Sequence, residues 1–232
     1  MNRLKDFFKV DLKYKESVLK YGQTDGILAL IIYSLVMIFY YAMGIVYART
    51  NLYLGVLINL VLAFVCIAFA LIKKQNLESI GFSRKNLKKS IILGVIFGLV
   101  VLLVNLIPGL MSGKILNTLP NLLVNLLYYL VIIALVEEII FRGYIQTRIY
   151  GLVKKPILAI LLTAFLFMSI HIPFQMYVNH MNFILYISSN YITLVFTFIW
   201  HIVLNFLYTK YNSIVAPTIF HTIMNWSNYL FI

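Results

Sequence analysis

Polar positions divide this chain into apolar runs of similar length. The runs are 27–48, 52–72, 90–110, 121–141 or longer, 156–172, 191–209 and 213–231. Each is close to the roughly 20 apolar residues a helix needs to cross a bilayer's hydrocarbon. The pattern predicts an all-α, polytopic transmembrane helical bundle of about seven to eight helices. The eighth element is residues 174–190, whose polar interruptions suit an interfacial or re-entrant piece better than a span. Residues 1–26 form an arm of mixed charge with no apolar core of signal-peptide type, so the first run is expected to stay as a helix. Within that arm, residues 4–20 read as an amphipathic helix on the membrane surface, with a solvated tail as the equal alternative. Residues 27–232 then form a single transmembrane domain.

Composition agrees with the pattern. Hydrophobic residues make up 62% of the chain and charged residues 11%, against about 45–50% and about 25% in soluble domains. The net charge of +12 raises the question of nucleic acid, and the distribution of the charge answers it. Of the 19 Lys and Arg residues, 17 fall in alternate inter-span segments and two in the others. That asymmetry is the cytoplasmic bias of membrane proteins. It predicts a multi-pass cell-membrane protein with its N-terminus in the cytoplasm, the lipid bilayer as a partner and no nucleic acid. Seven spans leave the C-terminus outside; an eighth element reverses that end. Residues 73–90 form the main polar loop, placed on the cytoplasmic side near anionic head groups. Cys66 lies inside an apolar run and reads as a small packed residue.

Acidic residues mark one place. The chain has seven, and after Glu78 the only two are Glu137 and Glu138, in "VEEIIFRGY", at the end of an apolar run. A charge at mid-bilayer costs on the order of 2.5–3.5 kcal/mol or more. Glu138 and Arg142 are spaced i, i+4, so they share a helix face and neutralise each other. Glu137 is rotated about 100° away and is left outside that pair. A carboxylate in an apolar, partly wet site suits general-base work. The bland alternative places all three charges among head groups at a helix end.

Register favours the first reading. Glu137 lies 14 residues before Gly151, and His171 lies 15 residues after Pro156. If 121–150 and 156–172 form an antiparallel hairpin, both sit about 20 Å from the turn and face each other. Of the remaining histidines, His180 falls in the polar external stretch. His201 and Asn205 form one HxxxN segment, and His221 and Asn225 form another. Spacing does not choose between the two.

The motifs "EEIIFR" (Glu137, Glu138, Arg142), "FMSIH" (Phe167 to His171) and "HTIMN" (His221 to Asn225) resemble the three-motif signature of the CPBP family. That family comprises type II CAAX prenyl endopeptidases and bacterial proteins of bacteriocin processing and self-immunity, also called Abi proteins. The resemblance covers roughly residues 80–230 and puts the catalytic core in about 90–232. It selects His221 and Asn225, which follow a short turn on the last core helix, and leaves His201 and Asn205 as a packing pair. Where many members carry a glycine-containing helix before the last motif, this chain has bulky "FTFIWHIVLNF", a departure that bears on the substrate groove.

The resemblance implies intramembrane endoproteolysis without a covalent nucleophile. Glu137 would activate a water with His171, and His221 and Asn225 would stabilise the oxyanion. Glu138 and Arg142 would fix the setting of Glu137, and Phe167 would wall the site. Ser169 and Cys66 have no base at suggestive spacing, which fits. Two histidines and a glutamate (His171, His221, Glu137) also have the make-up of a divalent-metal site, zinc by type, with an open water position; there is no HExxH. The expected substrate is a peptide or membrane protein, such as a bacteriocin or signal peptide. A non-catalytic bacteriocin-immunity or scaffold protein is the alternative from another class. A small transporter is disfavoured, since matching halves with broken helices are not evident. One requirement is geometric. His221 lies about eight residues into its helix, roughly 10 Å nearer the cytoplasm than His171 by simple counting. A tilted helix or a sunken lead-in loop is needed to bring them level.

Overall fold

The computed structural model describes residues 6–232; Leu4 and Lys5 of the expected 4–20 helix lie outside the described residues. Helix α1, Leu12–Leu19, starts at Asp11, whose carboxylate accepts from the Lys13 and Tyr14 amides at 2.9 and 3.3 Å. It presents a face to the protein as well as to its surroundings. Tyr14 and Val18 are buried, together with the following Tyr21. Gln146 Nε2 donates to the Tyr14 hydroxyl at 3.2 Å, and the Asp11 amide donates to Thr209 O at 2.9 Å. Burial pushes the Tyr14 phenol well above its usual range. The arm is therefore docked on the bundle along 11–21, a stronger tie than either sequence expectation.

Among the described residues, six helices are long and apolar enough to cross a membrane: α2 Gln23–Thr50, α3 Gly55–Ile72, α4 Leu87–Met111, α5 Leu119–Ile149, α6 Pro156–Val178 and α7 Phe183–Tyr211. The seventh run becomes α8, Val215–Trp226, a helix of 12 residues followed by a 3-10 turn at Ser227–Tyr229. At about 1.5 Å per residue, 12 residues reach about 18 Å, short of the hydrocarbon thickness. Residues 174–190 do not form a separate element. They are shared between the end of α6 and the start of α7, because the turn at 179–182 places His180 at φ 52° and Asn182 caps α7 by accepting from the Leu185 amide at 2.9 Å.

Helix α6 breaks at Ile170, between segments Pro156–Ser169 and His171–Val178. Pro173 explains the position. It has no amide proton, so it is tolerated in a helix's first turn and would interrupt a continuous one. His171 thus begins a new segment.

Two of the three packed clusters meet at the polar residues. The larger joins α1, α2, α3, α5 and α6 through residues such as Ile32, Leu62, Ile140 and Phe167. The smaller joins α4, α7 and α8 through Leu93, Leu204, Leu207 and Phe220. Glu137 and Glu138 come from the first body and His221 from the second, so the polar residues lie on the seam. At one end of the seam the chain terminus is tied down. The Asn117 amide donates to Leu230 O at 2.8 Å and the Ile232 amide to Ile115 O at 3.0 Å, joining the segment after α8 to the α4–α5 loop.

The other end of α8 is sunk into the protein. Ser213 and Ile214 are buried, and the Ile214 amide donates to Gly81 O at 3.1 Å. Gly81 adopts φ +89°, and a Cβ there would stand 2.6 Å from both Ile214 Cγ2 and Tyr208 Cε2. Only glycine meets both the backbone angle and the close approach. The 75–83 loop that carries Gly81 is clamped by Arg148, which donates to Ser79 O at 3.1 Å and Gln75 Oε1 at 2.5 Å and lies over the Tyr21 and Tyr144 rings. This buried lead-in seats α8 so that His221 meets Glu137 and Glu138.

Candidate functional site

Helix α5 carries the two glutamates on irregular backbone. Its ladder widens to π geometry at Tyr129–Ala134, returns to α at Leu135–Glu137 and widens again at Glu138–Gln146. Such i→i+5 turns are rare and often mark functional sites. The second wide stretch frees the Gly143 carbonyl, which accepts from Thr147 Oγ1 and Arg148 Nη1, each at 2.7 Å. Gly143 is also where α5 meets the 75–81 loop, since a Cβ there would stand 2.6 Å from Ile80 O.

The charged residues are buried and arranged around Glu138. Arg142 Nη1 lies 3.2 Å from Glu138 Oε1, the i, i+4 pair expected from spacing. The guanidinium carbon also stands 4.2 Å from the centroid of the Phe167 ring, a cation–π contact that gains strength when desolvated. Glu138 has a second partner that spacing does not reveal: His221 Nδ1–H donates to Glu138 Oε1 at 2.9 Å. That bond fixes the ring and directs its other nitrogen, Nε2, to 3.9 Å from Glu137 Oε2. Glu137 is 8% exposed and Glu138 fully buried, so the two carboxylates differ in access as well as in partners.

His171 lies at the break in α6. Its Nδ1 pairs with Phe167 O at 2.9 Å. With Nδ1 donating to a carbonyl, Nε2 is the acceptor nitrogen. The Phe167 ring stands between the two histidines, with centroid distances of 5.1 Å to His171 and 6.5 Å to His221.

Glu137, His171, His221 and Asn225 all line one cavity of about 900 Å³, with Phe167 in its wall. The four residues come from α5, α6 and α8. Trp200 and Phe196, from the bulky stretch of α7, form another part of that wall. His201 and Asn205 do not reach the cavity. His201 Nε2 pairs with Thr163 Oγ1 at 3.2 Å, and Asn205 accepts a short bond from Gln146. Cys66 is buried in the larger cluster, and the Ser169 hydroxyl is taken up by Tyr33 and backbone carbonyls.

Two features escape sequence reasoning. The Glu138–His221 bond joins residues from separate helices and has no local signature. Arg148, fully buried in "YIQTRIY", has a faint signal: it is a cation with no acidic residue nearby in sequence and with Tyr144 one turn before it, a ring that stacks on it opposite the distant Tyr21. Among the described residues, no group of three or more His, Cys, Asp or Glu side chains is placed to hold a metal ion. His221 keeps Nε2 toward Glu137 Oε2 at 3.9 Å while Glu138 holds Nδ1, an orientation that metal-binding histidines also use.

A family model, type II CAAX prenyl endopeptidase Rce1-like, matches residues 119–227. The matched stretch contains all three motifs. Comparison with curated proteins and with solved structures returns no match.

Proposed function

From the match of residues 119–227 to the type II CAAX prenyl endopeptidase Rce1-like family, a family of CAAX-type intramembrane proteases, we propose that this chain cleaves a peptide bond of a membrane-associated peptide or protein with water activated by Glu137. The supporting observation is the convergence of Glu137, His171, His221 and Asn225 on one cavity, with His221 aimed by Glu138.

In the proposed reaction, Glu137 takes a proton from water and His171 Nε2 holds that water by accepting its other hydrogen. The water oxygen attacks the scissile carbonyl carbon, and the carbonyl π electrons move to oxygen. His221, protonated on both nitrogens, donates from Nε2 to that oxyanion, and the Asn225 amide supplies a second donor. Glu137 then passes its proton to the leaving nitrogen as the C–N bond breaks. Glu138, bonded to Nδ1, orients the ring for this role. No step runs through a metal.

The substrate reading is processing of a bacteriocin, a signalling peptide or another membrane-retained chain, in maturation or self-protection. The test compares wild type, Glu137→Ala and Glu137→Gln at matched membrane levels in a deletion host, with secreted and retained peptides read by mass spectrometry. Precursor accumulating in both variants and cut in the wild type supports proteolysis and identifies the substrate. Identical peptide profiles, with the phenotype intact, reject it in favour of a binding or immunity role.

A further inference from the structure

Glu137 and His171 line two cavities, and the first is the 900 Å³ space already described. The second is about 150 Å³ and shares Ile133, Glu137 and His171 with it. The rest of its wall comes from Tyr40 and Met43 of α2, Tyr53 of the α2–α3 loop, Asn59 of α3, and Phe174 and Gln175 beside Ile170 on α6. Its rim is exposed at Tyr53 and Gln175, while Asn59 and Met43 are buried deeper in. The passage therefore runs from the end of the bundle that bears loops 51–54 and 179–182 down to the carboxylate.

Its size and polarity select the ligand. At about 30 Å³ per molecule it has room for about five waters, and a stable buried water needs 2–4 polar partners. It is too small for an extended peptide. Polar groups are spaced along it. Tyr40 donates to Asn59 Oδ1 at 2.8 Å, and Asn59 Nδ2 donates at 3.4 Å to Ile132 O in the first wide turn of α5. At the inner end stands Glu137, which also lines the large cavity.

We propose that this second cavity is the water-feed site of the enzyme, with Tyr40, Asn59 and Gln175 as positioning residues that pass bulk water to Glu137 from the side opposite the peptide. The inference rests on the protease reading above. Each cleavage consumes one water. A peptide filling the larger cavity displaces water from that side, so replenishment needs a route that the substrate does not block. The shared wall of Glu137 and His171 is the only contact such a route requires with the chemistry.

Two measurements test this. The first does not depend on activity. In membrane vesicles, Gln175→Cys and Met43→Cys are treated with a small charged methanethiosulfonate. Buried native Cys66 and a membrane-facing Leu60→Cys serve as unreactive references. Modification of both cavity positions, at rates well above the references, is expected; modification of neither overturns the inference whatever the activity. The second compares Tyr40→Phe/Asn59→Leu with wild type in peptide cleavage. We expect kcat to fall about tenfold, the factor for one lost hydrogen bond along the water file that supplies Glu137. KM should hold and the thermal midpoint stay close to wild type. Asn59→Ser, which keeps a hydroxyl for water, should recover much of the loss. Reactive cysteines with kcat unchanged in the double variant overturn the feed role and leave the protease reading standing. A wild type that cleaves nothing overturns the protease reading and the feed role with it, and the labelling separates that failure from a closed cavity.

Discussion

His221 and Glu138 stand 83 residues apart in sequence and meet through one bond, Nδ1–H to Oε1 at 2.9 Å. The same oxygen faces Arg142 Nη1 at 3.2 Å. Glu138 is thus the hub on which the second glutamate's ion pair and the last motif's histidine both depend. In Glu138→Gln, Arg142 keeps its buried charge without a counter-ion, a loss of about 3–5 kcal/mol. We expect a clear drop in the detergent-solubilised thermal midpoint together with lost cleavage. Adding Arg142→Met removes the stranded charge, so the double variant should regain most of the stability and none of the activity. A double variant as unstable as the single would mean that the ion pair is not what Glu138 stabilises.

Asn225 lines the large cavity without a partner role in the fold. If it supplies an oxyanion donor, Asn225→Ala should lower kcat by about 10²–10³ with little change in KM. Asn225→Asp, similar in shape with no NH₂ donor, should be as poor. Kinetics of both variants on one purified substrate check this, and a loss confined to KM would reassign Asn225 to substrate binding.

Chelation addresses the metal question directly. With no ligand cluster among the described residues, cleavage should continue in membranes washed with a strong zinc chelator. Activity lost on chelation and restored by added zinc would return a metal to Glu137, His171 and His221, with rearranged side chains.

Gly81 offers a test of how α8 is seated. Alanine there must adopt φ +89° and crowd Ile214 and Tyr208. Strain at a left-handed position costs about 1–2 kcal/mol before the clash is added. Gly81→Ala should lower stability modestly and activity disproportionately, because His221 hangs from the helix that this contact seats. Wild-type kinetics in Gly81→Ala would show that the loop does not set the histidine's depth.

Much of this molecule is legible in its sequence, and the limits have physical causes. Runs of about 20 apolar residues reveal spans because bilayer thickness imposes that length. The i, i+4 pair of Glu138 and Arg142 is legible because it is local, and it survives even on a widened ladder. The hairpin count that levels Glu137 with His171 also works, since both residues line the same cavities. Counting along α8 misleads about His221, because the depth at which a helix starts is set by what its lead-in packs against. Here that is Gly81, more than 130 residues earlier. The shortness of α8 is hidden for the same reason: an apolar run reports burial, and Ala216, Phe220 and Thr222 are buried by neighbouring helices. The Glu138–His221 bond is illegible because no periodicity links α5 to α8.

Glu137 and Glu138 are the only side-chain carboxylates after residue 78, and only the first has any exposed surface. The site thus carries its own address for chemical tagging. A small carboxyl-esterifying reagent that partitions into the membrane meets one accessible acid in the last two-thirds of the chain. The extent of esterification then counts competent sites, and a peptide seated in the groove would protect them, so occupancy becomes readable without a substrate of known sequence.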